Sequence, residues 1–230
     1  MLKKYKASSS WEKHLITNNI PYPDTFLIRI FKGKYPKLKF NYNKNDKILD
    51  VGYGEGRHFN LYDQVGLKIY GAEISQKIVN HTLKFFKNFF LKPIDCKLGY
   101  NHDLNFKSNF FDILVSWNAC YYMSMTPEHN FNLNLKEFAR VLKKNKYLVI
   151  SIPKKTCFIY KNSKKYKDGY RVIKDDYFKM RNGEIMKIFK NEKEIKKTFS
   201  VYFKNFNFSD IQDNCFGLNY HWHVFVAQKK

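Results

Sequence analysis

The fold of this chain is decided by the stretch Lys47-Ile48-Leu49-Asp50-Val51-Gly52-Tyr53-Gly54-Glu55-Gly56-Arg57-His58. Its first five residues are a mostly apolar run of the kind that forms a short buried strand. The three spaced glycines then predict a turn into a helix, where a ligand can approach backbone that a Cβ would shield. A second acid, Glu73, ends the next apolar run. This combination predicts a nucleotide-binding site.

Strand patterns and helix patterns alternate from residue 47 to residue 153. The predicted strands cover 47–51, 67–72, 94–98, 111–117 and 147–152, and the predicted helices cover 57–65, 75–90 and 127–144. This alternation predicts right-handed βαβ units. The fold class that we expect is α/β, with a Rossmann-like, doubly wound, mostly parallel sheet that binds its ligand beyond the carboxyl ends of the strands.

We expect a single domain over residues 1–230, with its core at 47–153 and an N-terminal helical flap at 1–46. In the flap, Ser9 and Glu12 form a capping-box pattern for a helix to about residue 16, and Asp24 can cap a second helix to about residue 34. Two large aromatic residues of this segment, Trp11 and Tyr22, either pack the flap on the core or line a substrate pocket. The sequence leaves both alternatives open.

The segment after the core interrupts the alternation. Residues 154–190 are predicted to form an inserted cap, with a hairpin over 177–189 that turns at Asn182-Gly183, a pair that favours a tight turn. Residues 191–230 are predicted to form a helix to about residue 203 and two strands, 208–215 and 222–228, that extend the sheet as an antiparallel edge.

The composition gives a formal net charge of +22, which raises the question of a nucleic-acid partner. Only five of the 42 basic residues are arginines, and the lysines are spread over the whole chain. Arginine is the usual bidentate reader of phosphates and base edges, so a surplus of lysine is weaker support for specific recognition. An AT-rich coding sequence explains the same composition, and we favour that explanation over a functional polyanion surface.

Several other classes of protein or site are not favoured by the sequence. No apolar run approaches the roughly 20 residues of a membrane-spanning helix, and residues 1–6 lack the apolar region of a secretory signal, so we expect a cytoplasmic protein. The four cysteines show no paired metal-ligand spacing. His221 and His223 flank Trp222, but no further ligand lies near them in sequence. We therefore predict no metal site.

Four motifs carry a resemblance to class I S-adenosylmethionine (SAM) dependent methyltransferases. Residues 48–57 resemble the first motif of that family, and Ala72-Glu73-Ile74-Ser75 is similar to its acidic second motif. Residues 109–118 resemble the motif of the fourth strand, and residues 137–144 look like the helix before the fifth strand. The resemblance covers about residues 45–153 and the last two strands. It implies SAM as the cofactor.

The resemblance also implies which residues contact the cofactor. Gly52, Gly54 and Gly56 would carry the turn beneath the methionine part of SAM, which Asp50 would position. Glu73 would bind the ribose hydroxyls, with Ile74 against the adenine. The other expected contacts are Asn101, His102 and Asp103 near the adenine edge, and Ser116, Trp117 and Asn118 over the methionine end. Tyr53 departs from the family pattern, since a smaller residue is common there.

NAD is the main rival cofactor for a glycine turn of this kind. The dinucleotide fingerprint Gly-x-Gly-x-x-Gly is absent, because Arg57 stands where its third glycine would fall. We therefore expect SAM.

The acceptor of the methyl group is less well defined by the sequence. Candidates for a catalytic base are His102, His58, Tyr121 and Tyr122, although we expect that no single base is indispensable. Tyr121 and Tyr122 are also candidate substrate contacts, together with Trp11 and Tyr22. Residues 116–122 lack the Asn-Pro-Pro-Tyr motif of adenine and cytosine N-methylation, and no Pro-Cys motif of cytosine C5 enzymes is present.

We therefore expect methylation at an oxygen or nitrogen atom of a small molecule, a metabolite or a glycan sugar. Two alternatives remain open at this point: an RNA methyltransferase that uses the basic surface, and a non-catalytic SAM-binding partner subunit. The sequence leaves the oligomeric state undecided.

Overall fold

The computed structural model of the protein describes residues 9–17, 22–90, 94–123 and 130–230. The helices in this part of the chain are α1 (Ser9–Thr17), α2 (Thr25–Lys32), α3 (Phe59–Gln64), α4 (Gln76–Phe85), α5 (Phe131–Val141), α6 (Phe158–Lys161) and α7 (Glu192–Phe199). The strands are β1 (Lys47–Val51), β2 (Lys68–Glu73), β3 (Asp95–Leu98), β4 (Phe111–Ser116), β5 (Tyr122–Met123), β6 (Leu142–Pro153), β7 (Ser163–Lys167), β8 (Tyr170–Ile173), β9 (Ile185–Lys187), β10 (Phe203–Cys215) and β11 (Leu218–Lys229).

Seven strands form the main sheet in the order β10-β11-β6-β4-β1-β2-β3. Strands β1, β2, β3, β4 and β6 are parallel, whereas β11 runs antiparallel to both β6 and β10. All six residues of β4 are buried, so this strand lies at the centre of the core. The predicted Rossmann-like α/β fold is confirmed. The one antiparallel strand, β11, lies between β6 and the edge strand β10.

Parallel pairing places the functional strand ends side by side. Asp50 pairs with Gly71 in β2, and Asp50 also lies opposite Val115 in β4. The residues that follow these strands therefore meet at the carboxyl edge of the sheet, where open α/β sheets bind their ligands. This edge also holds the residues that follow β3, because Glu73 pairs with Leu98.

The first helix covers this edge of the sheet. The Glu12 carboxylate in α1 accepts a hydrogen bond of 2.6 Å from the Ser75 hydroxyl and lies 3.3 Å from the Lys77 ammonium group. Leu15 is buried in the main core. In α2 the Asp24 carboxylate accepts from the backbone N–H of Phe26 at 2.8 Å and so caps the helix. Both helices begin where the sequence predicted.

The inserted segment forms a second sheet in the order β5-β9-β8-β7. The predicted hairpin at Asn182-Gly183 is wrong: the tight hairpin joins β7 to β8 at Asp168-Gly169, and β9 pairs with both β8 and β5. The physical reason is Asp176. Its carboxylate accepts from the backbone N–H groups of Met180 and Arg181, at 3.0 and 3.1 Å, so residues 177–181 curl around it and form no strand.

Other element bounds also differ from the predictions. Helix α4 ends at Phe85, five residues earlier than predicted, and α7 ends at Phe199 where residue 203 was predicted. The predicted helix at 127–144 lies partly outside the described residues, and the described helix is Phe131–Val141. Strands β6, β10 and β11 are longer than predicted. Beyond the sheet, β10 and β11 continue as a two-stranded ribbon, whose tip is Phe216-Gly217.

Among the described residues, no helix combines the length and the apolar character that crossing a membrane requires.

Candidate functional site

A cavity of about 450 Å³ lies at the carboxyl ends of β1, β2, β3 and β4. Its floor is the glycine turn after β1, and its sides come from the ends of the neighbouring strands. Helix α1 supplies Trp11, His14 and Leu15 to one side, and residues of the second sheet and of β11 close the other side. The cavity therefore lies between the sheet and the two segments that were predicted to form a flap and a cap.

The glycine turn is shaped by close neighbours as well as by backbone conformation. Gly52 and Gly54 adopt left-handed φ angles of +71° and +61°, which side chains rarely allow. A Cβ on Gly52 would lie 2.5 Å from the Cβ of Ala119, and one on Gly54 would lie 3.2 Å from the side chain of Leu15. Both glycines lie in the cavity wall. Only glycine at these two positions leaves the turn open to a ligand, and we call residues 52–54 the glycine cradle.

Glu73 connects the second strand to this turn. One carboxylate oxygen accepts from the backbone N–H of Gly54 at 3.0 Å, and the other accepts from the N–H of Ile74 at 2.7 Å. Burial raises the pKa of Glu73 to about 7, although the two backbone hydrogen bonds oppose that rise. A carboxylate held at this position can accept hydrogen bonds from ribose hydroxyls, as the sequence predicted.

Asp50 lies behind the cavity wall. Its carboxylate accepts from the Tyr62 hydroxyl at 2.9 Å and lies 3.2 Å from Nδ1 of His58. The ring of His58 reaches the cavity, and its Nε2 is buried without a hydrogen-bond partner among the described residues. Asp50 therefore positions His58, whose ring belongs to the cavity wall.

The loops after β3 and β4 are tied to each other. The Asn101 amide donates to the backbone carbonyl of Ala119 at 3.1 Å. The backbone N–H of Asn118, a residue with φ +58°, donates to the Ser151 hydroxyl at 2.7 Å. These contacts fix the loops at the cavity. Ser116 is fully buried behind the wall, where its hydroxyl donates to the carbonyl of Val51 at 3.3 Å.

The structure brings together most of the predicted site residues. Those in the cavity wall are Trp11, Gly52, Gly54, Glu73, Ile74, Asn101, His102, Trp117, Asn118, Tyr121 and Tyr122. Four predicted cofactor contacts lie outside that wall, namely Asp50, Gly56, Asp103 and Ser116. Gly56 instead packs against the core, since a Cβ there would lie 2.8 Å from the ring of Phe86. Tyr22 is 75% exposed and does not reach the cavity.

The candidate bases differ in their suitability. Burial raises the pKa values of Tyr121 and Tyr122 above the ordinary value for tyrosine, so both hydroxyls stay protonated at neutral pH. Burial lowers the pKa of His102, which leaves a neutral imidazole that can accept a proton. The two tyrosines therefore remain candidate substrate contacts, and His102 has a protonation state that suits a base.

The cap contributes cavity residues that the sequence did not single out. These residues are Phe158, Phe178, Met180, Arg181 and Glu184, together with Tyr220 and Trp222 of β11. The available signal was the position of an aromatic-rich insert directly after the fifth core strand. It predicted a cap, but it could not show which side chains of the cap reach the cavity.

A second cluster of polar residues lies on the main sheet away from the cavity. Strand pairing places Asp210 opposite His223, and Glu192 brings a third potential metal ligand within 4.8 Å of them. The sequence could not reveal this cluster, because its members are far apart along the chain. Lys154 already places its ammonium group 2.6 Å from Asp210, so a cation partner is present.

Comparisons with known proteins agree with this geometry. Residues 49–150 match the family model described as a methyltransferase domain. No curated protein matches the sequence significantly. A SAM-dependent methyltransferase from Methanosarcina mazei has a similar structure, with a TM-score of 0.63 and 20% identity, over 85% of this chain and 98% of that chain.

Two further solved structures resemble the fold. One is a SAM-dependent methyltransferase from Thermotoga maritima, described as a possible histamine N-methyltransferase, with a TM-score of 0.58, 18% identity and coverage of 96% and 99% of the two chains. The other is the 1,6-didemethyltoxoflavin-N1-methyltransferase of Burkholderia thailandensis with S-adenosylhomocysteine bound, with a TM-score of 0.60, 14% identity and coverage of 81% and 72%. At these identities the likeness concerns the fold.

The fold and the domain match over residues 49–150 bear out the predicted resemblance to the class I SAM-dependent methyltransferases. Residues 49–150 are the methyltransferase domain of this chain, and its cofactor is SAM. The residues fit that cofactor. The cradle leaves room where a Cβ would intrude, Glu73 offers a carboxylate that could accept from the ribose, and His58 of the wall carries a ring nitrogen without a partner among the described residues.

Proposed function

We propose that this enzyme transfers a methyl group to an oxygen or nitrogen atom of a small molecule, such as a metabolite or a sugar of a glycan. The cavity is the observation that supports the proposal. Its volume of about 450 Å³ lies in the range of small-molecule sites. One side is built for the cofactor, by the glycine cradle and Glu73, and the opposite side is lined with aromatic side chains of the cap.

The residues on the two sides have different tasks. Bound SAM supplies a methyl group that is already activated for transfer. The work left to the protein is to hold the acceptor in line with that group and to exclude water, and such orientation contributes roughly 7–11 kcal/mol to lowering the barrier. Trp11 and Leu15 of α1 cover one side of the cavity, and Tyr121, Tyr122 and Trp222 enclose the other.

Two structural neighbours act on small nitrogen compounds according to their names. These are the possible histamine N-methyltransferase of Thermotoga maritima and the 1,6-didemethyltoxoflavin-N1-methyltransferase of Burkholderia thailandensis. At 18% and 14% identity their acceptors do not transfer to this chain. The Burkholderia thailandensis structure contains bound 1,6-didemethyltoxoflavin, and a small acceptor in a protein of similar fold supports a small-molecule acceptor here.

The net charge of +22 favours a second candidate, an RNA methyltransferase. The cavity itself does not share this charge, because none of its described wall residues is a lysine. RNA binding through surface lysines would weaken steeply with salt, since each phosphate contact releases counterions.

The proposal is tested by titrating SAM in a calorimeter and then screening small-molecule and RNA acceptors with methyl-labelled SAM. We expect SAM binding and label transfer to small molecules, at a rate that changes little with salt. Transfer to RNA with a steep salt dependence would establish the second candidate. SAM binding without transfer to any acceptor would instead indicate a non-catalytic SAM-binding subunit.

A further inference from the structure

The whole protein is strongly basic, but the described part of the cavity wall has no lysine, and its arginines lie close to acids. All but five of the 42 basic residues are lysines, yet no lysine lies among the described residues of the cavity wall. The two wall arginines both face acids. Arg57 lies 3.8 Å from Asp24, and Arg181 lies 3.0 Å from Asp176. An anionic acceptor would therefore meet no uncompensated arginine or lysine in this part of the wall.

Six aromatic residues line this side of the cavity, and we call them the aromatic wall: Tyr121, Tyr122, Phe158, Phe178, Tyr220 and Trp222. The rings of Tyr121 and Trp222 are stacked with centroids 6.1 Å apart, and Phe158 contacts Tyr220 at 5.1 Å. The guanidinium of Arg181 already lies over Phe158, 5.3 Å from its centroid. The aromatic wall is therefore a surface on which a cation is stabilised.

Arg181 does not neutralise this region. Its guanidinium contacts Asp176 through both Nε and Nη2, at 3.1 and 3.0 Å, so its charge is matched within the loop. Its side chain is only 12% exposed, and that of Asp176 is 1% exposed. The pair thus contributes no net charge, and the remaining ionisable group of the cap in the cavity wall is Glu184.

Glu184 is a carboxylate whose partner is missing among the described residues. One of its oxygens is buried without a hydrogen-bond donor, and no ion pair joins it to a described cation. Burial raises its pKa to about 7. Because the next residue, Ile185, pairs with Met123 of β5, Glu184 is fixed beside the loop that follows β4. A half-buried acid of this kind is stabilised by a ligand that brings a positive charge.

We propose that the methyl acceptor is a small organic amine, held as its ammonium ion between Glu184 and the aromatic wall. This inference rests on the proposed methyl transfer and specifies its substrate class. An amine supplies both the positive charge that Glu184 lacks and the cation that the aromatic wall attracts. A carboxylate or phosphate acceptor would be repelled by Glu184, and a neutral alcohol would leave its charge uncompensated.

Methyl transfer to this nitrogen requires one proton to leave first. The ammonium group gives that proton to the Glu184 carboxylate, which becomes a carboxylic acid. The lone pair that is freed on nitrogen forms the new bond to the methyl carbon, and the electron pair of the broken carbon–sulfur bond stays on the sulfur of S-adenosylhomocysteine. The products are the methylated ammonium ion and the neutral thioether.

The experiment compares benzylamine, benzyl alcohol and benzoate, which share one ring and differ in charge. Binding is measured by calorimetry with S-adenosylhomocysteine present, in the wild type and in the Glu184→Gln and Asp175→Asn variants. Asp175 is an exposed acid of the same loop and serves as the matched control. We expect wild type and Asp175→Asn to prefer benzylamine by about tenfold or more, and Glu184→Gln to lose that preference.

The readouts separate the two proposals. Unchanged S-adenosylhomocysteine affinity in Glu184→Gln shows that the variant is folded. Equal affinity for the three probes, no binding of the amine, or an unchanged preference in Glu184→Gln overturns the amine assignment while methyl transfer stands. Failure of SAM or S-adenosylhomocysteine to bind the wild type refutes the methyltransferase function instead, and the amine titration without cofactor then still decides the assignment of Glu184.

Discussion

Glu73 is a buried acid that the fold keeps in place with two backbone N–H groups. Its carboxylate bonds to Gly54 and Ile74, and its pKa still lies near 7 because burial outweighs those bonds. Near neutral pH the residue is therefore divided between its charged and its neutral form. We expect ribose hydroxyls to donate to the charged form, which would couple cofactor binding to the ionisation of this residue.

We predict that SAM affinity falls as the pH is lowered below about 7. The sign follows from the raised pKa: the carboxylate is ionised above about pH 7, and a protonated Glu73 accepts fewer hydrogen bonds. The loss approaches tenfold per pH unit where protonation is complete. Calorimetry at several pH values measures it. Glu73→Gln is expected to bind weakly at all of them, whereas Asp213→Asn, at an exposed site, follows the wild type. A pH-independent wild type would contradict this prediction.

Tyr53, the residue that departs from the family pattern, packs against a glycine in β2, Gly71. Its side chain is only 4% exposed, and its ring occupies the space above Gly71, where a Cβ would lie 2.6 Å from two ring carbons. The bulky residue in the turn is therefore accommodated by a missing side chain in β2. This explains how the cradle keeps its shape despite the departure.

We predict that Gly71→Ala destabilises the protein by about 2 kcal/mol, because the added methyl group overpacks the site against Tyr53. In a Tyr53→Ala background the same change is expected to cost clearly less. Urea unfolding of the two single variants and the double variant gives the coupling energy. Some cost remains in that background, since the new Cβ also lies 3.0 Å from the Cys96 sulfur. Strict additivity of the two changes would refute the proposed contact.

At the scale of the elements, the loop between β8 and β9 depends on one buried ion pair. Asp176 bonds to two backbone N–H groups and to the Arg181 guanidinium. Without the acid, Arg181 is left buried and uncompensated. We predict that Asp176→Ala lowers the free energy of unfolding by roughly 3–5 kcal/mol and reduces acceptor turnover more than SAM affinity. Asp175→Asn is the neighbouring control, and an equal loss in both variants would contradict this role.

Helix α1 is the other element whose position matters for the cavity. Leu15 closes over Gly54, and Glu12 holds the helix to Ser75 at the start of α4. We predict that Leu15→Ala weakens SAM binding by about tenfold or less, because the smaller side chain loosens the cover over the glycine turn. Lys13→Ala changes an exposed residue of the same helix and is expected to leave the affinity unaltered. Equal effects of both changes would count against a covering role.

For the whole molecule, the core was predictable because local signals and long-range pairing agree there. The apolar runs around Leu49, Ile69 and Leu114 read as strands in the sequence and are parallel partners in the sheet. The cap was not predictable in detail. Asn182-Gly183 is a strong local turn signal, but the carboxylate of Asp176 draws the preceding residues into a curl.

The acceptor side of the site could not be predicted for a related reason. Glu184 and Arg181 have no local pattern that marks them as functional. They reach the cavity because β9, which follows them in the chain, pairs with β5, and β5 lies in the segment after β4. Likewise, the register that places Asp210 opposite His223 depends on a pairing between strands. The position of Glu73 in the cavity wall could be predicted, because its place at the end of β2 follows from the alternation of strands and helices.

The ribbon beyond the main sheet offers an exposed site for proteolytic cleavage. At its tip Phe216 is fully exposed, while pairing continues on both sides, from Cys215 with Leu218 to Phe203 with Lys229. We expect limited chymotrypsin digestion to cut after Phe216, giving two fragments on a denaturing gel that remain associated in solution. Phe216→Ser is expected to resist the cut. Dissociation of the two fragments after cleavage would contradict the expectation that they remain associated. A stable cleaved protein would make the ribbon tip a suitable site for splitting the enzyme into two chains or for inserting additional sequence.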